Sequence, residues 1–187
     1  MSHAVAEAVA GRFPQHLLGQ HAQVGDETLT IARDGLLEVA RFLKSDPAMA
    51  FDMPIDVTAV DYLDYPDHVG PRIHVVVHLY STSKKHRVRL HVPVDLGDCQ
   101  VPSLYPVWRG TEWFEREVWD MYGVRFTGHP DLRRILLYEG FVGHPLRKDY
   151  PLRGYQPLVP VAHLDDRAED PKLKNVDLNP RPVEGAR

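Results

Sequence analysis

The clearest order in the chain lies between residues 73 and 92. Ile73, Val75, Val77 and Leu79 alternate with His74, Val76, His78 and Tyr80, and beyond a polar turn Val88, Leu90 and Val92 alternate with Arg87, Arg89 and His91. A period of two on both sides of a short polar loop predicts an antiparallel hairpin with one face turned to the core. Matching apolar faces requires cross-strand partners of opposite parity, such as Val77 with Val88 or Leu79 with Val88, so the loop holds an even number of residues. Further strands are predicted over 27–31 and 55–62, the second ended by Tyr65-Pro66-Asp67. Helical spacing predicts a short helix over 3–10, before Gly11 and Pro14. A second follows Asp34 as its N-cap, carries Leu36, Leu37, Ala40 and Leu43, and stops at Pro47. A third runs from 110 to 123. Phe114, Val118, Met121 and Tyr122 form its apolar stripe, Glu112, Arg116 and Asp120 a flanking charge ladder, and Gly123 its left-handed cap.

Beyond His129 the periodicity fails. Eight of the 16 prolines fall between Pro130 and Pro182, and proline is excluded from helix interiors and central strands. The pattern predicts two parts. Residues 1–128 form an α+β domain, a small mixed or antiparallel sheet flanked by helices. Residues 129–187 form an extended, irregular, proline-rich arm that cannot close a core of its own and is either disordered or laid over another surface. Within it Gly128-His129-Pro130-Asp131-Leu132-Arg133-Arg134 is echoed by Gly143-His144-Pro145-Leu146-Arg147-Lys148, each a turn feeding a basic pair.

Composition narrows the class. With 187 residues and 43% hydrophobic content the chain can bury one core. A net charge of −4 and a lack of basic clusters interleaved with aromatics speak against a nucleic-acid binder. No apolar run approaches the roughly 20 residues that cross a bilayer, and the N-terminus has neither the basic start nor the apolar stretch of a secretory signal. A soluble or peripheral, cytoplasmic protein is expected. Cys99, the only cysteine, forms no intrachain disulfide and cannot supply the four-ligand set of an iron–sulfur cluster, so it reads as a small, partly buried filler.

Three groups could carry chemistry, and each has a plainer reading. His74, His78 and His91 could bind zinc, but Arg87 and Arg89 share their face and no carboxylate does, which favours a solvated or partner-facing sheet surface. Glu115, Glu117 and Asp120 could form an acid–base group. On a helical wheel they diverge, with Glu117 at the rim of the apolar stripe, Asp120 on the polar flank and Glu115 on the far side, so ion pairing with Arg116, Arg125 or a partner's basic residues is expected instead. His129 and His144 could shuttle protons, but a Gly-His-Pro step more often makes a rigid turn whose imidazole hydrogen-bonds the backbone. No dinucleotide fingerprint, phosphate loop or nucleophile elbow occurs, and no spacing supports a free-standing hydrolase built on Glu115 or Asp120 with a histidine.

The run from Glu115 to Leu152, EREVWDMYGVRFTGHPDLRRILLYEGFVGHPLRKDYPL, resembles the signature of the C-subunit family of type I NADH:quinone oxidoreductases (respiratory complex I). Val101-Pro102-Ser103-Leu104 and Trp113-Phe114 resemble its lead-in, and Trp119 stands where the family more often has Tyr or Phe. The residues that carry the match are Glu115, Arg116, Glu117, Asp120, Gly123, His129, Pro130, Leu132, Arg133, Arg134, Gly143, His144, Pro145, Arg147, Lys148 and Asp149, as a signature and interface set and not as catalytic, cofactor or metal residues. The resemblance implies an unfused, cofactor-free subunit of the peripheral arm, on the cytoplasmic side of the inner membrane. It would pack against the D-subunit and B-subunit homologues and scaffold the quinone site. FMN and the Fe-S clusters would lie in partner subunits of a complex that passes electrons from NADH to quinone and translocates protons. The alternative is the equivalent subunit of a membrane-bound hydrogenase or other-donor dehydrogenase.

Overall fold

In a computed structural model, residues 4–23 and 25–153 are described. They form an α+β unit around a mixed sheet. Helix α1 (Ala4–Arg12) is followed by strands β1 (Leu17–Gln23) and β2 (Asp26–Ile31), helix α2 (Leu36–Ser45), and strands β3 (Met53–Asp61), β4 (Ile73–Tyr80) and β5 (Arg87–Val94). The five strands lie in the order β1-β2-β5-β4-β3. All neighbours are antiparallel except β2 and β5, which run parallel. A two-stranded parallel ribbon joins β6 (Gln100–Pro102) to β7 (Arg125–Thr127), and helix α3 (Glu112–Tyr122) lies between them in sequence.

The hairpin forms as its alternation predicts. Leu79 pairs with Val88 and Val77 with Leu90. Tyr80 faces Arg87, which leaves the six loop residues 81–86 between them. Ile73, Val75, Val77, Leu79, Val88, Leu90, Val92 and Val94 are all buried, and with Leu29, Ile31, Val57 and Ala59 they form the inner face of the sheet. Val5 and Val9 of α1, the stripe Leu36, Val39, Ala40 and Leu43 of α2, and Val118 of α3 close over that face. These spacings of three and four put the buried side chains on one side of each helix.

Two local expectations change, and one strand enters that no sequence pattern marked. The first helix continues through Gly11 to Arg12, and a tertiary contact supports its start. The Glu27 carboxylate accepts from the N–H groups of Val5 (3.4 Å) and Ala6 (2.8 Å), two of the donors a helix start leaves unpaired. Asp34 is not an N-cap. The chain enters α2 through a 3₁₀ turn over Arg33–Gly35, and Asp34 turns outward to Arg33 at 3.6 Å. Gly35 is required there, since a Cβ would lie 2.2 Å from the His16 ring. Finally, β1 carries no alternation because it is an exposed edge strand with no buried residue.

Residues 129–153 contain no helix or strand. They nevertheless belong to the same compact unit as the sheet, whereas the sequence pattern assigns them to the arm. Their hydrogen bonds to α3 and to the end of β3 supply the reason. The rest of the expected arm, 154–187, lies outside the described residues.

Candidate functional site

The residues of the Gly-His-Pro echo converge on α3. A helix end leaves its last carbonyls without intrahelical partners, and here the second echo supplies them. His144 Nδ1 donates to the Asp120 carbonyl (3.0 Å), the Leu146 N–H to Met121 (3.1 Å) and Arg147 Nε to Tyr122 (2.5 Å). Gly123 closes the helix at φ 76° with its N–H on the Trp119 carbonyl. A Cβ at Gly123 would sit 2.5 Å from His144 Nε2 and 2.6 Å from Arg147 Nη2, so both the dihedral and the close approach demand glycine. Gly143, at φ 97°, is also crowded, its missing Cβ replaced by the Tyr150 ring at 2.8 Å.

Asp120 is fully buried and gathers the first echo. Its Oδ2 accepts from the backbone N–H groups of Ile135 (3.1 Å), Leu136 (2.9 Å) and Leu137 (2.9 Å), while Oδ1 accepts from Arg134 Nη1 at 2.5 Å. Burial acts to raise the Asp120 pKa, but the Leu137, Leu136 and Ile135 amides and the Arg134 guanidinium outweigh it and hold the carboxylate below its ordinary range. Arg134 also donates to the Phe141 carbonyl (2.7 Å) and lies over the Trp119 and Phe141 rings. From the same helix Arg116 donates to the carbonyls of Arg133 (3.1 Å) and Arg134 (2.8 Å). The expected Glu112–Arg116–Asp120 ladder is thus replaced. Residues 133–147 cover the polar flank of α3, and its charges turn to that covering segment.

Glu115 is also fully buried, not on an open side of the helix. Its carboxyl accepts from the Leu104 N–H (2.7 Å) and sits against Ser103 Oγ (2.6 Å) and Thr111 Oγ1 (2.9 Å), none of them a cation. Burial therefore pushes its pKa up, against the pull of those hydrogen bonds. Glu117, expected at the rim of the stripe, is exposed. Glu115, Glu117 and Asp120 do not converge. His129 Nε2 donates to the Glu112 carbonyl (3.0 Å) and its Nδ1 accepts from the Asp131 N–H (3.0 Å). Both Gly-His-Pro histidines therefore serve backbone turns. Pro130 is exposed, Leu132 packs on the core and Arg133 pairs with Asp131 at the surface.

One contributor has no local signal in the sequence. Arg72 makes a bidentate contact to Asp61 (2.7 and 2.6 Å) and a second to Asp149 (2.9 and 2.9 Å). The Lys148 N–H donates to the same Asp61 at 2.8 Å. Asp61 lies 87 residues before Lys148, so no short window contains the pair. Burial works to raise the Asp61 pKa, but Arg72 and the Lys148 and Leu63 amides leave it at about 2. Pro145 is half-buried beside this clasp in sequence.

The clamped segment turns apolar groups outward. Leu136, Tyr138, Val142, Leu146 and Leu152 are all among the exposed large hydrophobic residues. On the second sheet face His74, His78 and His91 are near one another, but among the described residues no group of three His, Cys, Asp or Glu side chains is arranged to hold a metal ion. Cys99 is half-buried, and burial raises its pKa. No helix among the described residues is long and apolar enough to cross a membrane.

Comparison with known proteins agrees with this architecture. Residues 29–156 match the family model described as "Respiratory-chain NADH dehydrogenase, 30 Kd subunit". The NADH-quinone oxidoreductase C subunit of Cupriavidus pinatubonensis is 42% identical over 184 residues, covering 97% of this chain and 86% of that protein. The Geobacter sulfurreducens protein of the same name is 45% identical over 143 residues, covering 76% of this chain and 85% of its own length. Among solved structures, a trypsin-resistant fragment of Nqo5 superposes with a TM-score of 0.58 at 29% identity, covering 68% of this chain and 99% of the fragment. A chain of the archaeal membrane-bound sulfane sulfur reductase superposes with a TM-score of 0.62 at 19% identity and shares the fold. With its sheet, its α3 clamp and its match over most of the length of these relatives, the chain belongs to the 30 Kd subunit family of respiratory-chain NADH dehydrogenases.

Proposed function

We propose that this chain is a structural subunit of an NADH-quinone oxidoreductase, lying peripherally on the cytoplasmic side of the membrane and performing no chemistry alone. Its partners are the D-subunit and B-subunit homologues, whose quinone site it scaffolds. The FMN and Fe-S centres that pass electrons from NADH to quinone, coupled to proton translocation, belong to partner subunits. The names of its relatives support the complex. The observation that carries the structural role is the clamp on α3. Asp120 and Arg116 use buried charge to hold the backbone of residues 133–137, and the chain there and just beyond presents Leu136 and Tyr138 outward. A folded chain that fixes an apolar strip in place is built to be covered. The single Cys99 supports the absence of a cluster in the chain.

The test is affinity purification of the tagged chain from membranes, with metal analysis and a visible spectrum of the chain isolated alone. Co-purification of the D and B homologues with a colourless, iron-free free subunit is expected. Stoichiometric iron or a flavin band in the isolated chain contradicts the reading, as does recovery of the tagged chain from membranes without the D and B homologues.

A further inference from the structure

Loop 62–72, between β3 and β4, folds back over the second face of the sheet. The Tyr62 and His68 rings stack at 4.3 Å and 11°, and His74 of β4 meets them edge-on at 4.8 and 5.3 Å. His91 of β5 continues the row at 5.9 Å from His74. The root of the loop is closed by the Tyr62 N–H on the Arg72 carbonyl (2.8 Å) and by the Arg72–Asp61 pair. Its span includes Asp64, Asp67 and Gly70 at positive φ (57°, 61° and 130°), conformations that cost energy at the two aspartates and must be offset by contacts. Both ring nitrogens of His74 are buried without a hydrogen-bond partner, a state tolerable for an uncharged ring and costly for an imidazolium.

We propose that loop 62–72 is a pH-sensitive latch: uncharged His74 and His91 carry the ring stack of Tyr62 and His68 that holds the loop on the sheet, and protonation of His74 and His91 releases it.

The charged surroundings favour this sense. Arg89 of β5, His78 of β4 and His21 of β1 add positive or protonatable groups around His91. The carboxylates of Asp26 on β2 and Asp56 on β3 act on His78. Asp64 and Asp67 of the loop are exposed. Burial first and His68 second lower the His74 pKa; the nearby Pro71 carbonyl pulls the other way, but it is His68 Nε2 that hydrogen-bonds it, at 2.9 Å. Burial, then His74 and Arg89, lower that of His91 to about 4. A group whose folded pKa is depressed below the free imidazole value favours the closed loop above that value. It opposes closure increasingly as pH falls toward the folded value.

The experiment is hydrogen exchange on the full chain, corrected for intrinsic rates, at about pH 7.5 and about pH 5. The amides of Tyr62, Tyr65 and His68 should open roughly tenfold more at the lower pH, because protons bind the open loop more tightly than the closed one. The amides of β4 should serve as an unchanged reference. His74→Phe keeps an aromatic ring in the stack and should remove most of the response. Equal opening at both pH values overturns the latch, as does an undiminished response in His74→Phe. Should that variant fail to fold, imidazole titration by NMR decides on the wild-type chain. His74 and His91 titrating below free histidine support the latch, and titration at or above the free value overturns it.

Discussion

Arg134 Nη1 meets Asp120 Oδ1 at 2.5 Å, and the same carboxylate holds three consecutive backbone N–H groups from residues 135–137. One buried side chain on α3 thus fixes both the direction and the conformation of the segment that follows β7. Removing one member of a buried pair strands the other, typically at a cost of about 3–5 kcal/mol. Asp120→Ala should therefore lower stability by about that amount in urea unfolding and strip exchange protection from residues 135–137. Retained protection there would show that something else holds the segment.

Gly123→Ala tests the second echo. The alanine would need a positive φ, at about 1–2 kcal/mol, and would displace His144 and Arg147, whose nitrogens lie 2.5 and 2.6 Å from the new Cβ. A fall in Tm larger than the dihedral cost alone is expected. Gly110→Ala, where a Cβ meets nothing within 4 Å, should change Tm little.

Acid should release the Arg72 clasp through Asp61. The folded pKa of Asp61, about 2, lies below its ordinary value of 3.8. Its contribution is therefore complete above that ordinary value and is lost as pH falls toward 2. A gap of this size corresponds to about 2 kcal/mol. Asp61→Asn should flatten this acid limb of the Tm–pH curve, and an unchanged limb would contradict the assignment.

Glu115 has the opposite sign. Its folded pKa is raised by burial, so its protonated form stabilises the fold below the ordinary carboxyl value of 4.5. That contribution declines as pH rises through the folded value. Glu115→Gln keeps an acceptor for the Leu104 N–H and carries no charge to bury. Its Tm should exceed that of the wild type near neutral pH and converge with it in mild acid. A variant less stable at every pH would mean the charged form is the one the site prefers.

Much of the fold was legible because one-sided burial writes a period into the sequence. The parity of the hairpin register and the Gly123 cap follow from spacing alone, while the choice of Leu79 over Val77 as the partner of Val88 does not. What escaped lacks that signature. Strand β1 has no buried face, and the parallel pairing of β2 with β5 leaves no local mark. On α3 the wheel separated apolar from polar faces correctly, yet Glu115 and Asp120 are both fully buried. A helix covered on two sides buries its charged flank: Glu115 lies against Ser103 and Leu104, and Asp120 against Ile135–Leu137, 15 to 17 residues further on, beyond the reach of a helical wheel. The same coverage explains why residues 129–153 belong with the sheet, although their prolines exclude them from regular structure.

Leu136 and Leu146 are where the proposed role, holding a surface in place for the complex, can be probed without disturbing the fold. Both are exposed, at 62% and 48%, so Leu136→Asp with Leu146→Asp should leave the melting of the isolated chain nearly unchanged. In cells carrying only the double variant, the measurement is the amount of assembled NADH-quinone oxidoreductase in membranes together with its turnover per assembled complex. Much less assembled complex is expected, with normal turnover in what remains. Full assembly with collapsed turnover would contradict the claim.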